Sequence, residues 1–141
     1  MGERPLPDVE TVEHGGDIGL VVRGGTEEEL FLNAARGLFS LIVTGNPARQ
    51  ERLVKRFSYM SDDDALVEFL NDLLFWWDTD RIVPAAVTMG QEEGSIYIDV
   101  DMYHLDRVSQ QAEREVKGVT YHGFSVMCRD GLFTARFVID L

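Results

Sequence analysis

The segment TEEELFLNAARGLFSLI, residues 26–42, decides which class of fold this chain can adopt. Thr26, followed three residues later by Glu29, forms the capping box that typically begins a helix. After it, apolar residues recur three and four positions apart, as on one face of an α-helix: Leu30, Phe31, Ala34, Ala35, Leu38, Phe39 and Ile42. We predict a helix over residues 27–42, ended by the breaker Asn46-Pro47.

Strand patterns flank this helix. Residues 9–13 and 18–22 are predicted as two short strands, joined by the loop His14-Gly15-Gly16-Asp17 into a hairpin-like opening. Residues 50–59 alternate between charged and apolar side chains, which predicts an amphipathic strand.

A second helix is predicted to start at Ser61, because a capping side chain is followed by three acids that favour the positive end of the helix dipole. Its apolar surface is wider than one face requires, so we expect it to be covered on two sides. The buried stripe is Leu66, Val67, Leu70, Leu73, Leu74 and Trp77, widened by Phe69, Phe75 and Trp76.

The remaining signals are strands, at residues 85–89, 95–100, 116–127 and 132–141, with Asp130-Gly131 as the turn of a final hairpin. The order ββαβαββββ groups strands instead of alternating each with a helix. It predicts the α+β class: two helices packed on a mostly antiparallel sheet in a single-domain sandwich over residues 1–141.

Composition indicates the size of the core and the cellular compartment to expect for the protein. The chain has 141 residues, of which 45% are hydrophobic, enough for one sizeable core. It contains no apolar run of membrane-spanning length and no signal-peptide core at its start, so we expect a soluble, cytoplasmic protein. The single cysteine, Cys128, fits a reducing compartment and is predicted to be a small buried hydrophobe.

The formal net charge of −12 disfavours direct contact with RNA or DNA and suits a basic protein partner or a divalent cation better. Basic residues gather only in residues 49–56, where their spacing predicts the solvated face of a strand: Arg49, Arg52, Lys55 and Arg56.

Two carboxylates are candidate metal ligands. Asp140 lies on the less apolar face of the last predicted strand, and Asp17 follows the flexible pair Gly15-Gly16. Carboxylates with nearby backbone carbonyls provide the hard oxygen ligands that Ca²⁺, Mg²⁺ or Mn²⁺ prefer. The alternatives are a solvated acid near the chain end for Asp140 and an ordinary turn residue for Asp17. His14 could complete or brace such a site, or be a loop histidine.

The strand-like stretch 115–123 interleaves polar side chains with β-formers. Lys117 could pair with a carboxylate cluster or meet a phosphate as a point charge, or be an exposed strand lysine. His122 and Thr120 would share one strand face, but no nucleophile motif accompanies them, so a catalytic triad is not indicated.

Several segments together resemble the archease family, in the right order and over nearly the whole chain. They are residues 14–19 (HGGDIG), 28–31 (EELF), 33–35 (NAA), 37–39 (GLF), 70–75 (LNDLLF), Asp78-Thr79, 116–122 (VKGVTYH) and 135–141 (ARFVIDL). The resemblance implies a two-helix α+β sandwich and an accessory role: activation of an RtcB-type RNA ligase in tRNA splicing and RNA repair. Such a ligase attaches guanylate from GTP to its own histidine in a metal-dependent step, which archeases promote along with repeated turnover.

The resemblance also implies site residues. Asp17 and Asp140 match the family's metal-binding aspartates, and we place His14 and Leu141 beside them as further metal ligands. Lys117 matches the family's strand lysine, for which we expect contact with the ligase active site or a nucleotide phosphate. Gly15-Gly16 departs from the family's more usual threonine and small residue, so the hydroxyl contact of that threonine is absent here.

Two other classes of function remain open from the residues. One is a stand-alone metal-dependent phosphohydrolase that uses the same carboxylates. The other is a chaperone-like binding module, for which the cluster Phe75-Trp76-Trp77 would have to be exposed instead of forming core.

Overall fold

A computed structural model of the protein describes residues 8–14, 17–43, 49–105 and 115–141. The elements are β1 (Val9–His14), β2 (Asp17–Gly24), α1 (Glu27–Ile42), β3 (Arg49–Met60), α2 (Ala65–Asp80), β4 (Ile82–Glu92), β5 (Ser95–Leu105), β6 (Gly118–Arg129) and β7 (Leu132–Asp140). The predicted order ββαβαββββ is confirmed. No helix in the described ranges is long and apolar enough to cross a membrane.

The strands form two sheets, a four-stranded sheet with the order β1-β2-β7-β6 and a three-stranded sheet with the order β3-β5-β4. All neighbouring strands are antiparallel. Helix α1 contacts β2 and β7 on one side and β4 on the other, and α2 contacts β6 as well as β3 and β4. Both helices therefore lie between the sheets. The α+β class is confirmed, and the structure divides the strands between two sheets.

The helices are covered on both sides because their apolar surfaces are wide. Phe69 of α2 is fully buried and lies against rings from α1 and β3, with centroid distances of 5.6 Å to Phe31 and 6.1 Å to Phe57. One continuous hydrophobic cluster joins these side chains to the inner faces of both sheets. Each helix thus stabilises both sheets by burying apolar area that neither sheet could cover alone.

The two helices begin differently. Thr26 Oγ1 accepts a hydrogen bond from the Glu29 amide at 3.1 Å, which confirms the predicted cap. The reciprocal bond runs to Glu29 Oε2 from the amide of Gly25, one residue earlier than a standard capping box. The predicted start of α2 at Ser61 is wrong, because Asp62 Oδ1 accepts from the Asp64 amide and forms a turn first.

Strand β6 is interrupted in the middle. Thr120 pairs with Val138 and Ser125 with Arg136, so five steps along β6 match only two along β7. Gly123 has φ +74° in this bulge, a conformation that favours glycine. The His122 amide donates to Thr120 Oγ1 at 3.0 Å. The strand predicted over residues 116–127 is confirmed as β6, Gly118–Arg129, but the bulge interrupts its alternation, which therefore no longer places Thr120 and His122 on one face.

Three side-chain predictions also need correction. Cys128 is exposed, not buried. Phe75 is 59% exposed, while its neighbour Trp77 belongs to the core. Lys55 does not share the solvated face of Arg52 and Arg56, because its Nζ lies 3.6 Å from the ring centre of Trp76.

Arg52 and Arg56 do lie on the solvated face of β3, as predicted. They pair across the strand with Asp101 at 2.6 Å and with Asp99 at 2.7 Å. The hydrogen bond between Arg56 and Asp99 raises the pKa of the Arg56 guanidinium above its ordinary value. The same bond lowers the pKa of the Asp99 carboxyl below the ordinary value of an aspartate. These exposed pairs contribute little to stability, and they engage the guanidinium groups of both arginines.

Candidate functional site

The predicted site residues Asp17 and Asp140 meet at one end of the four-stranded sheet, where β2 begins and β7 ends. Ile18 pairs with Ile139, so the next step of the same register brings Asp17 opposite Asp140. Residues opposite each other in antiparallel strands share a face. Alternation from the buried residues Leu20 and Phe137 places both aspartates on the face that points away from the helices.

The same row extends across all four strands. The backbone of His14 pairs with that of Asp17, and Gly118 pairs with Asp140. The Lys117 amide donates to the carbonyl oxygen of Asp140 at 2.8 Å, and Leu141 follows directly after it. We call this end of the sheet, with Asp17, Lys117, Asp140 and Leu141, the carboxylate end.

The carboxylate end carries two negative charges on neighbouring strands. Two like charges directly opposite each other in a sheet are unfavourable, and a bound cation removes the repulsion. Their oxygens, with backbone carbonyls, suit Ca²⁺, Mg²⁺ or Mn²⁺. In the described ranges, no group of three or more His, Cys, Asp or Glu side chains is arranged to hold a metal ion. The described residues thus offer such an ion the oxygen atoms of two carboxylates, Asp17 and Asp140, without a third side-chain ligand of these types.

Lys117 is exposed at the carboxylate end. Val116 and Val119 are both buried although they are three residues apart, so the alternation of a regular strand is interrupted between them. The lysine therefore lies where β6 enters the sheet, beside the row that contains Asp140.

Asn71 lies beside the strand that leads to the carboxylate end, and the sequence pattern alone assigned it no role. From α2, its Nδ2 donates to the carbonyl oxygen of Val119 at 3.0 Å, and its Oδ1 accepts from the Val119 amide at 2.9 Å. A polar side chain inside an apolar helical run, in Leu70-Asn71-Asp72-Leu73, was the available signal.

The next residue, Asp72, accepts a hydrogen bond from the hydroxyl of Tyr59 at 2.5 Å. Burial and then this bond raise the pKa of Tyr59 far above its ordinary value. The two polar residues of the helical run therefore reach in different directions, Asn71 to the four-stranded sheet and Asp72 to β3.

A cavity of about 270 Å³ opens at the opposite end of the molecule. Its wall includes Phe31, Leu66 and Cys128, and acidic side chains such as Glu27 and Asp63 border it. None of the predicted site residues lines it. This cavity and the carboxylate end are therefore separate features of the described surface.

Fold and site together define a class: small acidic domains in which two helices lie between two antiparallel sheets, with two carboxylates at one end of a sheet. A model of the archease protein family (MTH1598/TM1083) matches residues 10–141. The chain belongs to the archease family.

Relatives support the assignment. The chain is 31% identical over 134 residues to the protein archease of Thermoplasma acidophilum, covering 94% of this chain and 92% of the relative. It is 32% identical over 142 residues to the protein archease of Methanopyrus kandleri, covering 94% and 98%.

Solved structures share the fold. The solution structure of Methanobacterium thermoautotrophicum protein 1598 matches with a TM-score of 0.81 at 25% identity, covering 95% of this chain and 99% of that one. The crystal structure from Thermotoga maritima described as "an archease, possible chaperone" matches with a TM-score of 0.69 at 19% identity over the full length of both chains.

Proposed function

We propose that this protein is an accessory activator of an RtcB-type RNA ligase, acting in tRNA splicing and RNA repair and not itself an enzyme. In this proposal it promotes the metal- and GTP-dependent guanylylation of the ligase and its repeated turnover. The observation that carries the proposal, given membership of the archease family, is the placement of Asp17 opposite Asp140 on an exposed face beside Lys117.

The carboxylate end would act by docking at the ligase active site. Asp17 and Asp140 would hold a divalent metal ion, with His14 and Leu141 as the further ligands. When bound, such an ion neutralises negative charge on phosphate oxygens. Lys117 would contact a nucleotide phosphate or the ligase itself as a point charge.

The charge of the whole chain supports docking on a cationic partner. A net charge of −12 would speed the encounter with a positively charged active-site mouth and would keep contact with RNA indirect. A cytoplasmic location, where such a ligase would work, is part of the proposal.

The test is guanylylation of the cognate ligase with GTP and Mn²⁺, with and without this protein. Faster guanylylation is expected with the wild-type chain, and its loss with the double variant Asp17→Ala, Asp140→Ala. The matched control is Asp63→Ala, Glu93→Ala, which removes two exposed acids elsewhere and should stimulate normally.

Full stimulation by a folded Asp17→Ala, Asp140→Ala variant would disprove the role of the carboxylate end. The same assay without ligase addresses the phosphohydrolase alternative, because only a stand-alone enzyme would hydrolyse GTP alone.

A chaperone-like binding module is the second candidate, because the Thermotoga maritima relative is described as a possible chaperone. Exposed apolar side chains such as Met60, Phe75 and Met127 would provide contact area. A chaperone would suppress aggregation of unrelated unfolded proteins, whereas a dedicated activator would affect only its ligase.

A further inference from the structure

Within the part of the chain that the structure describes, β6 is an edge strand, so its outward backbone groups face no neighbouring strand there. Asn71 replaces that neighbour at one residue. Its Nδ2 donates to the Val119 carbonyl oxygen at 3.0 Å, and its Oδ1 accepts from the Val119 amide at 2.9 Å. A primary amide offers both functions at one side-chain end, which neither a carboxylate nor an aliphatic group can do.

The clamped segment is short. Before the bulge, β6 forms only three paired positions with β7, from Gly118 to Thr120. Val119 is the middle one: it lies opposite Ile139 of β7 on one side, and on the other side its N–H and C=O groups both bond Asn71. A Cβ added at Gly118 would lie 3.3 Å from Asn71 Oδ1, which shows how closely the helix approaches the strand here.

This segment positions the carboxylate end. Gly118 pairs with Asp140, and Lys117 bonds the Asp140 carbonyl at 2.8 Å. If the Val119 bonds were lost, the three paired positions would be retained by β7 alone, beside a bulge that interrupts the ladder. Lys117 would then lose its fixed position relative to Asp140.

We propose that Asn71 is a positioning residue: through the backbone of Val119 it holds Lys117 in register with Asp140. The inference rests on the proposed function where ligase stimulation is measured. Hydrogen exchange of the backbone amides tests it independently of that function. In this proposal Asn71 acts through the Val119 backbone alone.

The test compares Asn71→Asp with a matched control, Asn33→Asp. Asn33 is also half-buried on a helix, and its Nδ2 donates to the Arg23 carbonyl at 2.7 Å, at the far end of β2 from Asp17. Both variants replace an amide donor by a carboxylate facing a carbonyl, so both lose stability. Only Asn71→Asp should speed amide hydrogen exchange at residues 117–120.

In the ligase assay, Asn71→Asp should lower stimulation about tenfold, whereas Asn33→Asp should change it less than about twofold at equal amounts of folded protein. Asn71→Gln keeps both bonding functions on a longer stem and should recover part of the loss. This variant also tests the inference if Asn71→Asp does not fold.

Equal stimulation by Asn71→Asp and Asn33→Asp, despite faster exchange at residues 117–120, would overturn the positioning role. Unchanged exchange in a folded Asn71→Asp would overturn the clamp itself. A wild-type chain that does not stimulate the ligase would disprove the proposed function, while the exchange measurement would still decide whether Asn71 clamps β6.

Discussion

The two ends of the four-stranded sheet are built in different ways. At one, which we call the turn end, β2 passes into α1 and Asp130-Gly131 joins β6 to β7. Its bonds are local: Thr26 caps α1, and Glu29 reaches back to Gly25. At the carboxylate end, by contrast, Asp17 and Asp140 come from opposite ends of the sequence and meet only through the strand order β1-β2-β7-β6.

The difference separates stability from function. The turn end has tight contacts and special backbone conformations, with positive φ at Asp130 and Gly131, so substitutions there should cost folding free energy. The carboxylate end brings like charges together, which adds nothing to stability. If the division is correct, variants at the two ends should affect different measurements.

The largest expected effect on stability is at the turn end, at Gly24. A Cβ there would lie 2.5 Å from the Leu30 nitrogen and 2.9 Å from the Glu29 carbonyl carbon, both backbone atoms of the first turn of α1. Gly24→Ala should therefore lower the free energy of unfolding by about 3 kcal/mol, measured by urea denaturation. Ligase stimulation by the folded fraction should be unchanged.

Gly25→Ala is the matched control for this substitution. Its Cβ would approach only Glu29 Oε2, at 3.2 Å, and that flexible side chain can move. The expected change is below about 1 kcal/mol. Equal losses in Gly24→Ala and Gly25→Ala would contradict the argument from close packing.

An intermediate effect is expected outside the four-stranded sheet, at the Tyr59–Asp72 hydrogen bond between β3 and α2. Tyr59→Phe should lower the free energy of unfolding by about 1.5 kcal/mol at neutral pH. Burial and the bond to Asp72 raise the pKa of Tyr59 in the folded state above that of the unfolded chain. The stabilisation is therefore fully present below about pH 10 and is lost as pH rises from there toward the folded-state pKa.

Denaturation midpoints measured between neutral pH and pH 11 would check this sign. The wild-type chain should lose its advantage over Tyr59→Phe as the pH passes 10. A difference that stayed constant across that range would mean that Tyr59 does not titrate differently in the folded and unfolded states.

The smallest effect on stability belongs to the carboxylate end. Asp140→Asn removes one of two opposed charges and should leave the free energy of unfolding unchanged or raise it by up to about 0.5 kcal/mol. Any gain should shrink at high salt, because ions screen exposed charges. Asp130→Asn, at the exposed hairpin turn, is the control and should show no gain.

A loss above about 1 kcal/mol in Asp140→Asn would mean that this carboxylate makes a stabilising bond, and the contrast between the ends would fail.

The turn end is the part of the fold that the sequence predicted best. Helix α1 has the predicted bounds, Glu27–Ile42, because its cap and apolar spacing are encoded within seventeen consecutive residues. The hairpin turn at Asp130-Gly131 was equally local, since both residues tolerate positive φ. The prediction of where α2 starts was wrong because Ser61, Asp62 and Asp64 can all cap a helix. The turn at Asp62 moves the first helical residue to Ala65.

The carboxylate end was predictable only in part. The resemblance to the archease family, now shown, pointed to Asp17 and Asp140, and the strand register brings these two residues opposite each other. Their metal binding and the role of Lys117 stay predictions. The division into two sheets, the bulge in β6 and the clamp by Asn71 depend on which strands become neighbours, which periodicity along the chain does not specify.

The exposure of Cys128 gives the molecule a natural labelling site. It is the single cysteine of the chain, and it borders the cavity at the turn end, far from Asp17. A thiol-reactive dye would therefore attach at one defined position without engineered substitutions. Its fluorescence anisotropy would follow the binding of a large partner at the carboxylate end while leaving that surface unmodified.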